Sequence, residues 1–141
     1  MNTFERDGVS FKYPTNWRAE AEEVEAGGWA VTVSSPDTAF ALVSVRPDAH
    51  DPAELADQAL DALREEYKEL DAENRLETIA GMLAIGHDID FITLDAAITC
   101  RTRSLATLTG PLLVMTQVSE YDQSRNDPVL RAIVASLRVE E

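Results

Sequence analysis

Val9, Phe11 and Tyr13 alternate with Ser10 and Lys12, a period of two that predicts a half-buried strand. Pro14 ends it, because proline has no N–H to give to a strand ladder. Residues 17–24 alternate more weakly and carry Glu20, Glu22 and Glu23, which predicts an exposed edge strand. Gly27-Gly28 turns the chain into a strand over 29–33, and Ser35-Pro36-Asp37 turns it back. Phe40–Val45 is apolar at both parities and is expected inside a sheet with both faces covered. Such close strand spacing favours antiparallel meander connections over crossovers.

The period then changes. Asp51 as N-cap, Pro52 at the first helical position and Glu54 behind them open a helix. Leu55, Ala59, Leu63, Tyr67 and Leu70 recur at three- and four-residue steps and form its apolar stripe. Strands are predicted next over 75–82, 86–94 and Ala97–Thr107, and, after Thr109-Gly110-Pro111, over 112–119. Asn126-Asp127-Pro128 is expected to cap a last helix whose inner face carries Leu130, Ile133, Val134 and Leu137. Segregated strands and helices, without repeats or a linker, predict one α+β domain over residues 1–141: a mainly antiparallel sheet covered by helices.

Composition removes several functions. Twelve Lys and Arg against 26 Asp and Glu leave a net charge of −14. Such a surface repels phosphate backbones and anionic lipid, so neither nucleic acid nor a membrane is expected as partner. The longest strongly apolar run, 110–115, is too short to cross a bilayer, and residues 1–7 lack a basic segment leading into an apolar one. A cytoplasmic protein is expected. One cysteine excludes an internal disulfide, and two histidines leave little for metal chemistry, so no cofactor is expected.

Gly8-Val9-Ser10-Phe11-Lys12-Tyr13-Pro14-Thr15-Asn16-Trp17 resembles the opening of the PsbP-like family, which includes DcrB-like bacterial proteins. There an aromatic strand runs into Tyr-Pro, a short turn and a tryptophan. Tyr121, Val129-Leu130 and the run from Ile133 to Arg138 resemble the family's last helix, and Gly81 or Gly86 falls near its central strand turn. The resemblance implies an α/β/α sandwich around a twisted antiparallel sheet. It also implies a non-enzymatic role in binding other proteins: as a photosystem assembly factor, as a partner of a nuclear-import GTPase, or as an often dimeric adaptor for type VI secretion effectors. Trp17 is read as core rather than as part of an aromatic ligand platform with Tyr13.

Enzymatic chemistry finds little support. On a strand, His87 points away from Asp88 and Asp90, so the three cannot converge on a metal ion. Cys100 alternates away from Arg101 and Arg103 and reads as a small buried hydrophobe; a hydrolase built on Cys100 and His87 is the rival. Sequence motifs of phosphate-binding loops, zinc proteases and dinucleotide sites are missing.

Two charge features point to protein partners instead. Asp57, Asp61, Glu65 and Glu69 recur every four residues along the first helix, a solvated face or a docking stripe for a basic partner. From residue 96 to 119 there is no acidic residue, and Arg101 and Arg103 share one strand face within that gap. They are expected to be at least partly exposed, free of obligatory ion pairs, and to contact a partner protein or a second copy of the chain. The expected function is therefore a protein-binding or adaptor module; the alternative is a carrier of a small apolar ligand held between sheet and helix.

Overall fold

The computed structural model describes residues 1–140. Within them the chain forms β1 (Asn2–Arg6), β2 (Val9–Tyr13), β3 (Arg18–Glu23), β4 (Trp29–Ser34), β5 (Phe40–Val45), α1 (Pro52–Glu66), β6 (Leu70–Ile79), β7 (Met82–Ile92), β8 (Ala97–Thr107), β9 (Gly110–Ser119), α2 (Gln123–Ala135) and β10 (Arg138–Val139). Seven strands pair in the order β3-β4-β5-β9-β8-β7-β6, and β1, β2 and β10 make a small second sheet. Every pairing is antiparallel. This is the α+β class that the hydrophobic pattern predicts.

Alternation on the large sheet divides its side chains between two cores. Leu60 and Leu63 of α1 cover Ile89, Phe91 and Cys100 on one face. On the other, Leu130 and Ile133 of α2, together with Val9 and Phe11 of β2, cover Val43, Leu105, Leu112 and Val114. The sheet is thus sandwiched, with the small sheet extending the α2 layer. Trp17 is 6% exposed in this second core, so it is a packing residue as expected. β3 is exposed along its whole length at one edge, and β5 lies inside the sheet, both as the pattern implies.

Several elements depart from the sequence reading; β7 starts at Met82 rather than at 86 and ends at Ile92 rather than at 94, and β10 follows a helix that was expected to close the chain. β1 was not foreseen, although Asp7-Gly8 is a two-residue hairpin turn; both residues have positive φ (51° and 78°), which glycine adopts freely. Phe4 on β1 packs against Phe11 and Trp29, which anchors the hairpin. α1 stops at Glu66, because Tyr67 turns extended (φ −120°, ψ 100°) and stacks on Phe91 at 4.0 Å between ring centroids. Leu70 therefore opens β6, five residues ahead of the expected strand, and Ala80-Gly81 forms the turn into β7. α2 begins at Gln123, a turn before Asn126-Asp127-Pro128, and contains Pro128. Asp122 is the N-cap residue but makes no side-chain cap bond; its carboxylate accepts instead from Thr38, Ser119 and the Asn126 side chain, tying the first turn to the β4–β5 loop.

Candidate functional site

The α2-facing side of β8 carries Arg101 and Arg103, as alternation requires. Both side chains are engaged, which corrects the expectation that they stand free. Arg103 is 7% exposed. Its Nε donates to Glu77 Oε1 of β6, its Nη2 to Asp88 Oδ1 of β7 at 2.8 Å, and its Nη1 to the backbone carbonyls of Thr102 (2.8 Å) and His87 (3.2 Å). Arg101 is half-buried and donates through Nη1 to Asp127 Oδ1 of α2 at 2.7 Å. The acid-free stretch is a gap in sequence only. The facing carboxylates arrive from β6, β7 and α2.

Gly86 makes room for this arrangement. It pairs directly with Arg103 across β7 and β8, and a Cβ there would sit 1.8 Å from the Thr102 carbonyl oxygen. Glycine at this place lets the two backbones close up around the guanidinium.

Two further arginines complete the cluster. Arg75 of β6 donates through Nε to Asp88 Oδ2 (2.8 Å) and through Nη2 to Glu73 (2.7 Å). Arg131 of α2 donates through Nε to Asp127 Oδ2 at 2.8 Å. Asp88 and Asp127 are each held between two guanidiniums. Burial raises both carboxyls, and the arginine hydrogen bonds, from Arg103 and Arg75 on Asp88 and from Arg131 and Arg101 on Asp127, overcome it and hold each below its ordinary value. The bonds to Asp88 and to Asp127 hold Arg75 and Arg131 above theirs.

Around these side chains lies an open cleft of about 560 Å³ between α2 and β6–β8. Its charged lining is Arg75, Arg101, Arg103 and Arg131 against Glu77 and Asp88; Val114, Leu130 and Val134 add apolar surface. Sequence reasoning missed Arg75, Glu77, Asp88, Asp127 and Arg131 as members. Two signals were available: the same-face series Glu73, Arg75, Glu77 on one strand, and Asp127 and Arg131 four residues apart on one helix.

On the other side of the sheet, Asp57, Asp61 and Glu65 are exposed on α1, but Glu69 lies beyond the helix end. The stripe is one residue shorter than expected. His87 faces α1 while Asp88 faces the cleft, and among the described residues no three His, Cys, Asp or Glu side chains converge as metal ligands. His87 pairs with Thr102 rather than with Cys100. Cys100 is fully buried, and desolvation pushes its thiol up to about 12, against the nearby positive charge of Arg101. A thiol held neutral and out of reach of solvent is a poor nucleophile. Among the described residues no helix is long and apolar enough to cross a membrane.

No protein-family model and no curated protein sequence matches the chain. Solved structures do. A protein of unknown function from Pseudomonas aeruginosa, PA94, superposes with a TM-score of 0.60 at 14% identity, over 100% of this chain and 98% of the other. The cyanobacterial PsbP (CyanoP) of Synechocystis sp. PCC 6803 gives 0.57 at 12% identity, over 99% and 92% of the two chains. LpqN of Mycobacterium tuberculosis, involved in cell envelope biogenesis, gives 0.55 at 10% identity, over 94% and 83%. At these identities the likeness shows a shared fold, that of PsbP.

Proposed function

We propose that this protein is a non-catalytic, single-domain binding module of the PsbP-like and DcrB-like kind, acting as an assembly factor or adaptor that holds another polypeptide in the cleft between α2 and β6–β8. The observation that carries this reading is the cleft itself: an open recess in a chain of net charge −14 whose lining carries four arginines and two carboxylates. The fold it shares with CyanoP and LpqN supports a non-enzymatic role, and the buried, neutral Cys100 removes the best candidate nucleophile.

A carrier of a small apolar ligand is the second reading, favoured by the apolar patch of Val114, Leu130 and Val134. The arginines on the same floor weigh against it, because an apolar ligand would strip water from charges without replacing their hydrogen bonds.

Affinity capture from host lysate tests the reading with two variants. Arg131→Glu with Val134→Glu alters the exposed wall of the cleft; Asp57→Lys with Asp61→Lys alters α1 on the opposite side. A polypeptide retained by the α1 variant and lost by the cleft variant supports the module. Loss with the α1 variant alone would move the docking site to the acidic stripe. A lipid or other small molecule seen by native mass spectrometry, with no polypeptide, would favour the carrier. Light scattering on the same variants reads self-association through either face.

A further inference from the structure

We infer that the cleft recognises a carboxylate on an aliphatic stem, the acidic side chain or chain terminus of a partner polypeptide, through Arg131 and Arg101. This rests on the binding-module reading and names the chemistry of its partner.

The four arginines of the lining are not equivalent. Arg103 has every donor nitrogen engaged, by Glu77, Asp88 and two carbonyls, and is 7% exposed. It is a fixed charge under the floor. Arg131 is its opposite: its side chain is 67% exposed and only its Nε is bonded. Both of its terminal nitrogens remain free to donate. Arg101 uses Nη1 alone, for Asp127. Asp127 thus acts as a strut, holding the two guanidiniums on either side of one carboxylate, at 2.7 and 2.8 Å.

That geometry suits a carboxylate. A guanidinium offers a planar fork of donors that matches the two oxygens of a carboxylate, and Arg131 presents its unused fork to the open side. Charge count sets the cleft apart from the rest of the chain. With Glu73 and Asp127 counted, its four arginines are balanced by four carboxylates, whereas the whole chain carries fourteen more anions than cations. An acidic group meets the net repulsion of the whole chain and, at this balanced cluster, the free donors of Arg131, which gives selectivity through local placement. Val134 and Ala135 lie one turn along α2 from Arg131 and line the same cleft. An aliphatic stem next to the carboxylate finds its contact there.

Arginine side-chain NMR tests the inference directly. The Nε–H signals of Arg101 and Arg131 are followed while hexanoate, hexylammonium or inorganic phosphate is added at constant ionic strength. Hexanoate is expected to shift both signals saturably, and Arg131→Gln to weaken it about tenfold while the amide spectrum keeps its fold pattern. Hexylammonium is expected to leave both signals in place. Saturation by phosphate as tight as by hexanoate would overturn the aliphatic-stem requirement in favour of a general oxyanion site. No saturable shift with hexanoate, or an equal one with hexylammonium, would overturn carboxylate recognition. In that case a polypeptide captured through the cleft would still leave the module reading standing, so the two failures are separable.

Discussion

Gly86 and Arg103 face each other across the β7–β8 ladder, and the absence of a side chain on the first lets the second lie under the cleft. Arg103 spends its donors on two carboxylates and two backbone carbonyls from three neighbouring strands. It ties β6, β7 and β8 together beneath the cleft. A buried guanidinium is tolerated only when its donors are filled, and here they are.

Gly86→Ala is expected to destabilise the protein by about 1–3 kcal/mol or more, since the new methyl meets backbone that cannot rotate away. Urea unfolding checks this. A midpoint equal to that of the wild type would show that β7 and β8 can separate at no cost.

Arg103→Met should cost about 3–5 kcal/mol, because it takes from Glu77 its cation, from Asp88 one of its two, and from two carbonyls a donor. Glu77 is half-exposed and recovers water, which places the loss toward the lower end. Arg103→Lys is expected to recover only part of it, since an ammonium cannot reproduce the fork. Full stability in the lysine variant, by thermal or urea unfolding, would contradict this account of the floor.

The sheet was legible in the sequence to the extent that one residue's neighbours in the chain decide its state. Val9, Phe11 and Tyr13 alternate because their own strand is half-buried, and the Ala97–Thr107 strand matches the structure at both ends. The cleft was not legible in that way. Arg101 and Arg103 looked unpaired because Glu77, Asp88 and Asp127 stand at least 13 positions away along the chain. Pairing register brings them together, and register belongs to the sheet rather than to any one segment. The end of α1 failed for a related reason: Tyr67 and Leu70 continue the helical spacing, but stacking on Phe91 and pairing into β6 hold them more strongly.

Acid should unfold the protein earlier than an unpaired carboxylate set would. Asp88, Asp122 and Asp127 sit below their ordinary value of 3.8 in the folded chain; burial raises each, and hydrogen bonds from Arg103, Thr38 and Arg131 respectively lead the groups that lower them. As pH falls, the unfolded chain therefore takes up protons before the native one. The stabilisation is complete above about pH 5 and is lost as pH drops through the lowered folded values. Urea midpoints measured across that range should fall steeply in the wild type and less steeply in Asp122→Asn. Equal slopes would show that Asp122 titrates alike in both states.

Trp17→Ala should cost about 3–5 kcal/mol, the usual range for removing a buried indole. Trp17 packs in the core on the α2 side, so the loss should appear as a lower midpoint of one cooperative transition. A variant melting within about a degree of the wild type would return Trp17 to the surface and revive the aromatic platform.

The central claim is that the α2-side cleft is where a partner sits, and photo-crosslinking addresses it most directly. A benzophenone amino acid is placed at Ala135, exposed on the cleft wall, or at Ala62, exposed on α1 across the sheet. After irradiation in host cells, the account predicts one polypeptide joined to the residue-135 variant and none to the residue-62 variant. Adducts of equal yield at both positions, or at residue 62 alone, would contradict it.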